Sequence, residues 1–154
     1  MSTTITYTLE ITVLPLDSKV WRRILVPSDI SLSRLHAVLQ IATGGPRSLQ
    51  RFFIDRHKRM FGHPTWEDFP KIKSDSRVKL DHLLVTAGDT LAYYAGEGDE
   101  WEHVVQLLKV TISAMRLRHA TCLAGNGHPL ERYERAVGVF RRSAVNQTLT
   151  RVLI

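Results

Sequence analysis

The chain has 154 residues, of which 44% are hydrophobic and 23% charged, and it carries a formal net charge of +6. This composition is typical of one globular domain with a hydrophobic core. The sequence has neither an apolar run long enough to span a membrane nor a basic and apolar leader at its N-terminus, so we expect a cytoplasmic protein without membrane contact.

The first predicted element is a strand. Apolar residues alternate with polar ones over residues 5–14, the pattern of a half-buried strand. Residues 20–26 resume an extended, β-branched run that ends at Pro27. The proline, aspartate and serine between the two runs are turn formers, so we predict a β-hairpin.

The next segment has the pattern of an amphipathic helix. Ser31 is placed to cap its N-terminus, and Gly44 with Gly45 ends it. Apolar residues recur between them at spacings of three and four: Leu32, Leu35, Val38, Leu39 and Ala42. We expect this apolar stripe to lie on the hairpin.

The residues Trp21, Arg22 and Arg23 allow two interpretations. They could meet a nucleic acid by base stacking and phosphate contacts. Strand alternation, however, places Trp21 and Arg23 on one face and Arg22 on the other, so the three cannot form one patch. We therefore expect Trp21 to be buried under the helix stripe and Arg22 to be solvated or paired with a carboxylate on a neighbouring strand.

The rest of the chain predicts further strands and loops. Residues 51–55, 90–94 and 101–112 have strand patterns, residues 56–76 are expected to form loops with a short strand, and residues 78–85 a short helical turn. The fold class is therefore α+β, a two-layer mixed β-sheet with one principal helix packed on one face, in an order reminiscent of β-grasp domains.

Four stretches carry a family resemblance. They are WRRILVPSD at 21–29, LSRLHAVLQIATG at 32–44, GDEWEH at 98–103 and CLAG at 122–125. Through them, residues 4–129 resemble the Ri-plasmid ORF-three-like family, also called the insertion-element passenger TnpR-like family. The resemblance implies a protein of plasmids and mobile elements, and an accessory or interaction domain.

The chain departs from the family pattern at three places. Leu49 and Arg51 stand where the family has two histidines, and residues 95–99 lack an aspartate and two aromatics of the family motif. After Cys122 the family's second cysteine and its final motifs are absent. Cys122 is the single cysteine, which excludes an internal disulfide and any zinc site of paired cysteines, and we interpret it as a passive thiol.

The C-terminal segment, residues 130–154, has an atypical sequence. Codons can be chosen for residues 132–140 so that a shifted frame encodes Asp-Met-Ser-Gly-Arg-Trp-Gly-Tyr, which is similar to the family's missing motif. We therefore hypothesise a frameshift near Leu130, which would make this chain a degenerate copy with an out-of-frame tail. Half of the net positive charge lies in this tail, in which five arginines accompany two glutamates.

The resemblance assigns five residues to a family binding site: His36, Asp99, Trp101, Glu102 and His103. Histidine and carboxylate side chains are standard ligands of zinc and similar metals. The family's paired histidines are replaced here and no HExxH spacing occurs, so we expect neither a metal nor a cofactor, and hydrogen-bonded structural roles for His36 and His103.

A basic run supplies the candidates for nucleic-acid contact: Arg51, Arg56, Lys58 and Arg59. A solvated loop explains this run equally well, so any nucleic-acid partner is expected to bind weakly. No nucleophile elbow or Walker motif is present, and the glycines of residues 96–98 precede acidic residues rather than a phosphate-binding helix.

The leading interpretation is therefore a non-catalytic accessory or interaction domain. One alternative is a nucleic-acid-binding protein that acts in plasmid or transposon maintenance, because a basic chain gains affinity for phosphate by releasing counterions. The other is a metal-dependent hydrolase or nuclease in intact relatives, impaired in this copy.

Overall fold

The computed structural model describes residues 3–14, 20–44, 51–63, 72–95 and 101–127, with the backbone alone for residue 101. Within these residues the chain forms one α-helix, α1 (Leu32–Thr43), and eight strands. The strands are β1 (Thr4–Val13), β2 (Trp21–Pro27), β3 (Arg51–Ile54), β4 (Met60–Gly62), β5 (Lys73–Ser74), β6 (Thr90–Ala95), β7 (Trp101–Ser113) and β8 (Thr121–Asn126). Short 3₁₀ turns cover Asp75–Arg77 and Leu80–His82. None of the helices among these residues is long and apolar enough to cross a membrane.

All eight described strands belong to one open sheet with the order β5-β4-β3-β6-β7-β1-β2-β8. Neighbouring strands are antiparallel except β4 and β5, which are parallel. The predicted fold class, a mixed sheet with one principal helix, is confirmed. The prediction missed β8, where only Cys122 is buried and apolar alternation is absent.

The predicted N-terminal hairpin forms two interior strands of the sheet, next to the edge strand β8. Strand β1 pairs with β2 on one side and with β7 on the other, so that Leu9 lies opposite both Ile24 and Leu107. Leu9, Ile11 and Val13 are fully buried, as the period-two pattern predicts. The register of β1 and β7 shifts at Leu9, where a bulge accommodates one additional residue of β7.

The predicted helix and its caps are also confirmed. The hydroxyl of Ser31 accepts a hydrogen bond from the Arg34 amide at 3.3 Å, which satisfies one orphan donor of the first turn. Gly44 ends the helix in the left-handed conformation, with φ 67°, and its amide donates to the carbonyl oxygens of Gln40 and Ile41. Gly45 and the segment 130–154 lie outside the described residues. The predicted apolar stripe is buried in one core with the sheet.

The prediction for the two faces of β2 is wrong. Side chains alternate as expected, but Arg22 lies on the helix side with Ile24 and is only 1% exposed, whereas Trp21 is half-buried on the opposite face. The reason is the C-terminal end of α1, whose last carbonyl groups have no partner within the helix. A guanidinium group can donate to those carbonyls, which an indole with one N–H cannot do as well.

The buried guanidinium of Arg22 joins three parts of the chain. Its Nε donates to the Ala42 carbonyl at 2.8 Å, and its Nη1 donates to the carbonyls of Trp21 at 2.8 Å and Asn126 at 2.7 Å. Gly125 lies opposite Arg22 in the β2–β8 register, and a Cβ atom there would stand 2.7 Å from the Arg22 Cδ. The absence of a side chain at residue 125 thus makes room for the arginine.

Candidate functional site

Two of the family-site candidates lie in a buried group, His36, Tyr93 and His103, which we term the histidine–tyrosine cluster. Strand register places Tyr93 beside His103, and His36 reaches them from α1. His36 Nδ1 and the Tyr93 hydroxyl share a hydrogen bond of 2.6 Å, and His103 Nδ1 donates to the Tyr93 carbonyl at 3.2 Å. The three residues are 6%, 1% and 1% exposed, so solvent hardly reaches them.

A buried ion pair adjoins this cluster. Arg51 donates from Nε and Nη2 to the two carboxylate oxygens of Asp75, at 2.7 and 3.0 Å. Burial raises the pKa of the Tyr93 hydroxyl far above its ordinary value, with the Arg51 charge opposing and the Asp75 charge adding to the effect. Tyr93 therefore stays protonated at neutral pH and cannot act as a general base.

The remaining family-site candidates lie elsewhere. Because side chains alternate along β7, Glu102 lies on the face of the sheet opposite to His103. Its carboxylate accepts a hydrogen bond there from the Tyr94 hydroxyl at 3.0 Å. The structure thus separates Glu102 from the two histidines. Asp99 and the side chain of Trp101 lie outside the described residues. Among the side chains that the structure describes, no three or more His, Cys, Asp or Glu residues are grouped so that they could hold a metal ion.

The four nucleic-acid candidates divide into one buried and three exposed residues. Arg51 is held by Asp75 in the interior. Arg56, Lys58 and Arg59 are exposed on the turn between β3 and β4, which we term the basic turn.

Asp55 fixes the shape of the basic turn. Its carboxylate accepts hydrogen bonds from the amides of His57 and Arg59, at 3.0 and 2.8 Å, and from the Arg59 Nε at 2.7 Å. Burial alone would raise the pKa of Asp55, but the hydrogen bonds from Arg59 and His57 outweigh it and lower the pKa. Lys58, at the tip, has φ 64°, a left-handed conformation that these hydrogen bonds help to hold.

Cys122 is buried in the core. Burial raises the pKa of its thiol, with the Arg22 charge opposing the effect. A buried, protonated thiol is a poor nucleophile, in agreement with the passive role expected from the sequence.

The surface of the domain has an open cleft of about 490 Å³, where the β2–α1 loop, the start of α1 and the β7–β8 loop meet. Four basic side chains line it, all exposed: Arg34, Lys79, Arg116 and Arg118. We term it the cationic cleft. Its other lining residues include five apolar ones, Pro27, Ile30, Val38, Leu117 and Ala120.

Asp29 is the one carboxylate among the described lining residues of the cationic cleft. It is held end-on by Arg116, with Nη2 to Oδ1 at 2.8 Å and Nη1 to Oδ2 at 3.2 Å. The hydrogen bond from Arg116 is the main cause that lowers the pKa of Asp29, and the charges of Arg116 and Lys79 add to it. Asp29 is therefore ionised at neutral pH and balances one of the four cations.

Sequence reasoning missed this cleft because its cations come from distant segments. Arg34 lies in the helix, Lys79 in the loop after the first 3₁₀ turn, and the two remaining arginines in the β7–β8 loop. The stretch MRLRH at residues 115–119 has two arginines outside any strand pattern, and it is the one local pattern that could have indicated a basic site.

Comparison with known proteins identifies both family and fold relatives. The model of the family described as "Plasmid pRiA4b ORF-3-like protein" matches residues 5–140. "Uncharacterized protein y4hQ" of Sinorhizobium fredii (strain NBRC 101917 / NGR234) is 34% identical over 122 residues, which are 78% of this chain and 61% of that protein. The chain thus spans about three-fifths of the length of this relative.

A solved structure has the same fold. The crystal structure of a protein of unknown function, MM3350 from Methanosarcina mazei Go1, matches with a TM-score of 0.72 and 21% sequence identity. The match covers 90% of this chain and 82% of the other. At this identity the similarity concerns the fold alone.

Proposed function

We propose a binding function for this chain, which belongs to the plasmid pRiA4b ORF-3-like protein family. It is a cytoplasmic, non-catalytic accessory domain that recognises an anionic group in the cationic cleft. The observation that carries this proposal is the lining of the cleft, where the residues that the structure describes include four exposed cations and a single carboxylate that is already paired.

Simple electrostatics favours an anion in this cleft. Two unit charges 4 Å apart interact by about 1 kcal/mol in water and by about 4 kcal/mol near a protein surface of lower dielectric. Lys79, Arg34 and Arg118 bring like charges toward one space, and an anion among them relieves that repulsion. Because the side chains are exposed, the affinity should fall as salt is added.

The histidine–tyrosine cluster supports a binding function over an enzymatic one. Its two histidines and its tyrosine are buried, and burial raises the pKa of Tyr93 so that its hydroxyl stays protonated. A general acid or base must reach the reacting group directly or through one water molecule. The contacts of these residues with one another instead join α1 to β6 and β7, so we assign the cluster a structural role.

The family name supports a setting on plasmids. We propose that the domain serves an accessory role in the maintenance or movement of such elements, as the TnpR-like resemblance implies. The frameshift near Leu130 remains a prediction that the nucleotide sequence of the gene would test.

The test of the cleft is anion titration of the full chain at about 50 mM salt, with inorganic pyrophosphate as the probe and calorimetry as the measurement. Replacing both Lys79 and Arg118 by alanine should weaken binding about tenfold, since two exposed ion pairs of up to about 1 kcal/mol each are lost and about 1.4 kcal/mol is a factor of ten.

The matched control is Lys109→Ala, which removes an exposed charge outside the cleft. This variant should bind within about twofold of the wild type. No binding by the wild type, or an equal loss in the control, would contradict the proposal, because the second result would assign the effect to net charge alone.

A second candidate function is nucleic-acid binding at the basic turn. Arg56 and Lys58 are exposed on a turn whose shape Asp55 holds, so their charges are presented from a defined backbone. If this turn contacts phosphates, replacing both by alanine should reduce the slope of log affinity against log salt by about 2.

The measurement is fluorescence anisotropy of a labelled 20-nucleotide DNA, single-stranded and duplex, over a range of salt concentrations. An unchanged slope in the turn variant, together with lost affinity in the Lys79 and Arg118 variant, would move the contact to the cationic cleft. No affinity at low salt would remove this candidate.

A further inference from the structure

We infer that Asp29 is an internal competitor for Arg116, and that the ligand which displaces it from Arg116 in the cationic cleft is a small phosphate monoester. This inference rests on the proposed anion-binding function and names its ligand class. It goes beyond that function because Asp29 is expected to weaken ligand binding, whereas Arg116 is expected to strengthen it.

The geometry of the Asp29–Arg116 pair is the first observation. Both carboxylate oxygens accept from the two terminal nitrogens of one guanidinium group, which is the two-oxygen arrangement in which arginine also binds phosphate. Asp29 thus occupies the donors that an incoming anion would use. Since both side chains are partly exposed, the pair contributes little to stability and can be exchanged.

The charge of the cleft is the second observation. When an anion takes Arg116 from Asp29, four basic residues face it, and the aspartate remains nearby as a repelling charge. A dianion is attracted by the cations more strongly than a monoanion, and a phosphate monoester carries about −1.5 to −2 charge at pH 7. The cleft therefore favours a phosphate monoester over a carboxylate.

The size of the cleft is the third observation. Its volume of about 490 Å³ lies in the range of small-molecule sites and exceeds the space that one phosphate group needs. Ile30, Val38 and Leu117 line it beside the cations, and no aromatic ring is among the lining residues that the structure describes. An aliphatic body attached to the phosphate fits this lining better than a flat nucleobase, for which a stacking ring is missing.

The experiment compares three probes, butyl phosphate, inorganic phosphate and butyrate, by calorimetric or NMR titration of the full chain at low salt. Butyl phosphate should bind tightest and butyrate weakest. Asp29→Asn should strengthen butyl phosphate binding about fivefold to tenfold, because a carboxylate that competes for Arg116 and repels the ligand is gone. Butyrate should gain less, because it carries a single charge.

The matched control is Glu10→Gln, which breaks a similar partly exposed arginine–carboxylate pair, Arg23–Glu10 at 2.7 Å, away from the cleft. It should leave all three affinities unchanged. Adding Arg116→Gln to Asp29→Asn should abolish the gain, since the donors that Asp29 releases are then absent.

The outcomes separate the inference from the proposed function. If butyl phosphate binds but Asp29→Asn weakens it, Asp29 positions Arg116 rather than competing for it, and the inference is overturned while anion binding stands. If butyrate binds as well as butyl phosphate, the assigned ligand class is wrong. If no probe binds to the wild type or to Asp29→Asn, both the inference and the cleft proposal fail.

Discussion

Substitution of Gly125 by alanine tests the packing of the buried arginine. The new Cβ would lie 2.7 Å from the Arg22 Cδ and 3.0 Å from the Trp21 carbonyl oxygen, whereas carbon atoms in contact prefer about 3.5–4.0 Å. Arg22 cannot retreat freely, because its guanidinium group is bonded to Ala42 and Asn126 on two different elements. Relief of the clash must therefore stretch those hydrogen bonds or move β8.

The expected cost follows from these contacts. Forcing one additional methyl group against a packed side chain costs about 1–3 kcal/mol, and weakened hydrogen bonds to the buried Arg22 guanidinium add to it, so Gly125→Ala should lower the free energy of unfolding by about 2–4 kcal/mol although Gly125 itself is exposed. For a domain of this size, that is a decrease of roughly 4–16 °C in melting temperature. Urea denaturation followed by circular dichroism gives the first quantity and a thermal scan the second.

A double-mutant cycle decides whether Arg22 is the cause. Methionine at residue 22 keeps an atom at the δ position but lacks the anchoring hydrogen bonds, so in the Arg22→Met background Gly125→Ala should cost less than half as much. Arg22→Lys serves the same purpose if the methionine variant does not fold. Leu123→Ala, an exposed position on the same strand, should change stability by only about 0.5 kcal/mol. An equal cost of Gly125→Ala in both backgrounds would refute the reasoning.

Three further stability predictions concern buried polar groups and are measured by urea denaturation. Asp75→Asn should destabilise the fold by about 3–5 kcal/mol, because it leaves the Arg51 guanidinium buried without its carboxylate, and a cost below about 1 kcal/mol would show that the pair is dispensable. Tyr93→Phe should cost about 1–2 kcal/mol by removing the hydroxyl that bonds His36, whereas an unchanged midpoint would contradict the structural role of the cluster. Asp55→Asn should cost about 1–2 kcal/mol at pH 7. Because the folded-state pKa of Asp55 is lowered below its unfolded value of about 3.9, this contribution should be complete above about pH 5 and lost as the pH falls through the folded pKa, so the wild type and Asp55→Asn should converge in acid. A pH-independent difference would assign the effect to packing.

The parts of the fold that the sequence predicted are those set by local patterns. The alternation before Pro15 predicted the first strand, and the cap at Ser31 predicted the start of the helix. Gly44, which is left-handed in the structure, predicted the end of the helix. These features depend on interactions within a few residues, so one sequence contains enough information to locate them.

The faces of β2 show where local patterns stop being sufficient. Period-two alternation correctly separated Trp21 from Arg22 but could not say which of them faces the helix, and hydrophobicity favoured the tryptophan. The deciding interaction is tertiary, because Arg22 bonds carbonyl groups from α1 and from the end of β8. Strand β8 was itself missed, since the glycine that the arginine requires weakens its strand pattern.

Even less of the candidate site than of the fold could be predicted from the sequence. Of the family-site residues, His36 and His103 do come together, but through Tyr93, which no sequence pattern linked to them. The cations of the cleft are up to 84 positions apart, from Arg34 to Arg118. A site assembled from separate segments of the chain leaves no spacing to recognise, and only the folded chain reveals it.

The interior position of β1, between β2 and β7, has a consequence for how the protein is made. Its partner β7 is encoded about 100 residues later, so at translation rates of about 5–20 residues per second β1 is synthesised roughly 5–20 s before it can pair with β7. Throughout that interval one edge of β1 offers unpaired amide and carbonyl groups to other nascent chains. Slowing synthesis should therefore lower the soluble yield, and a chaperone that shields exposed strand edges should restore it.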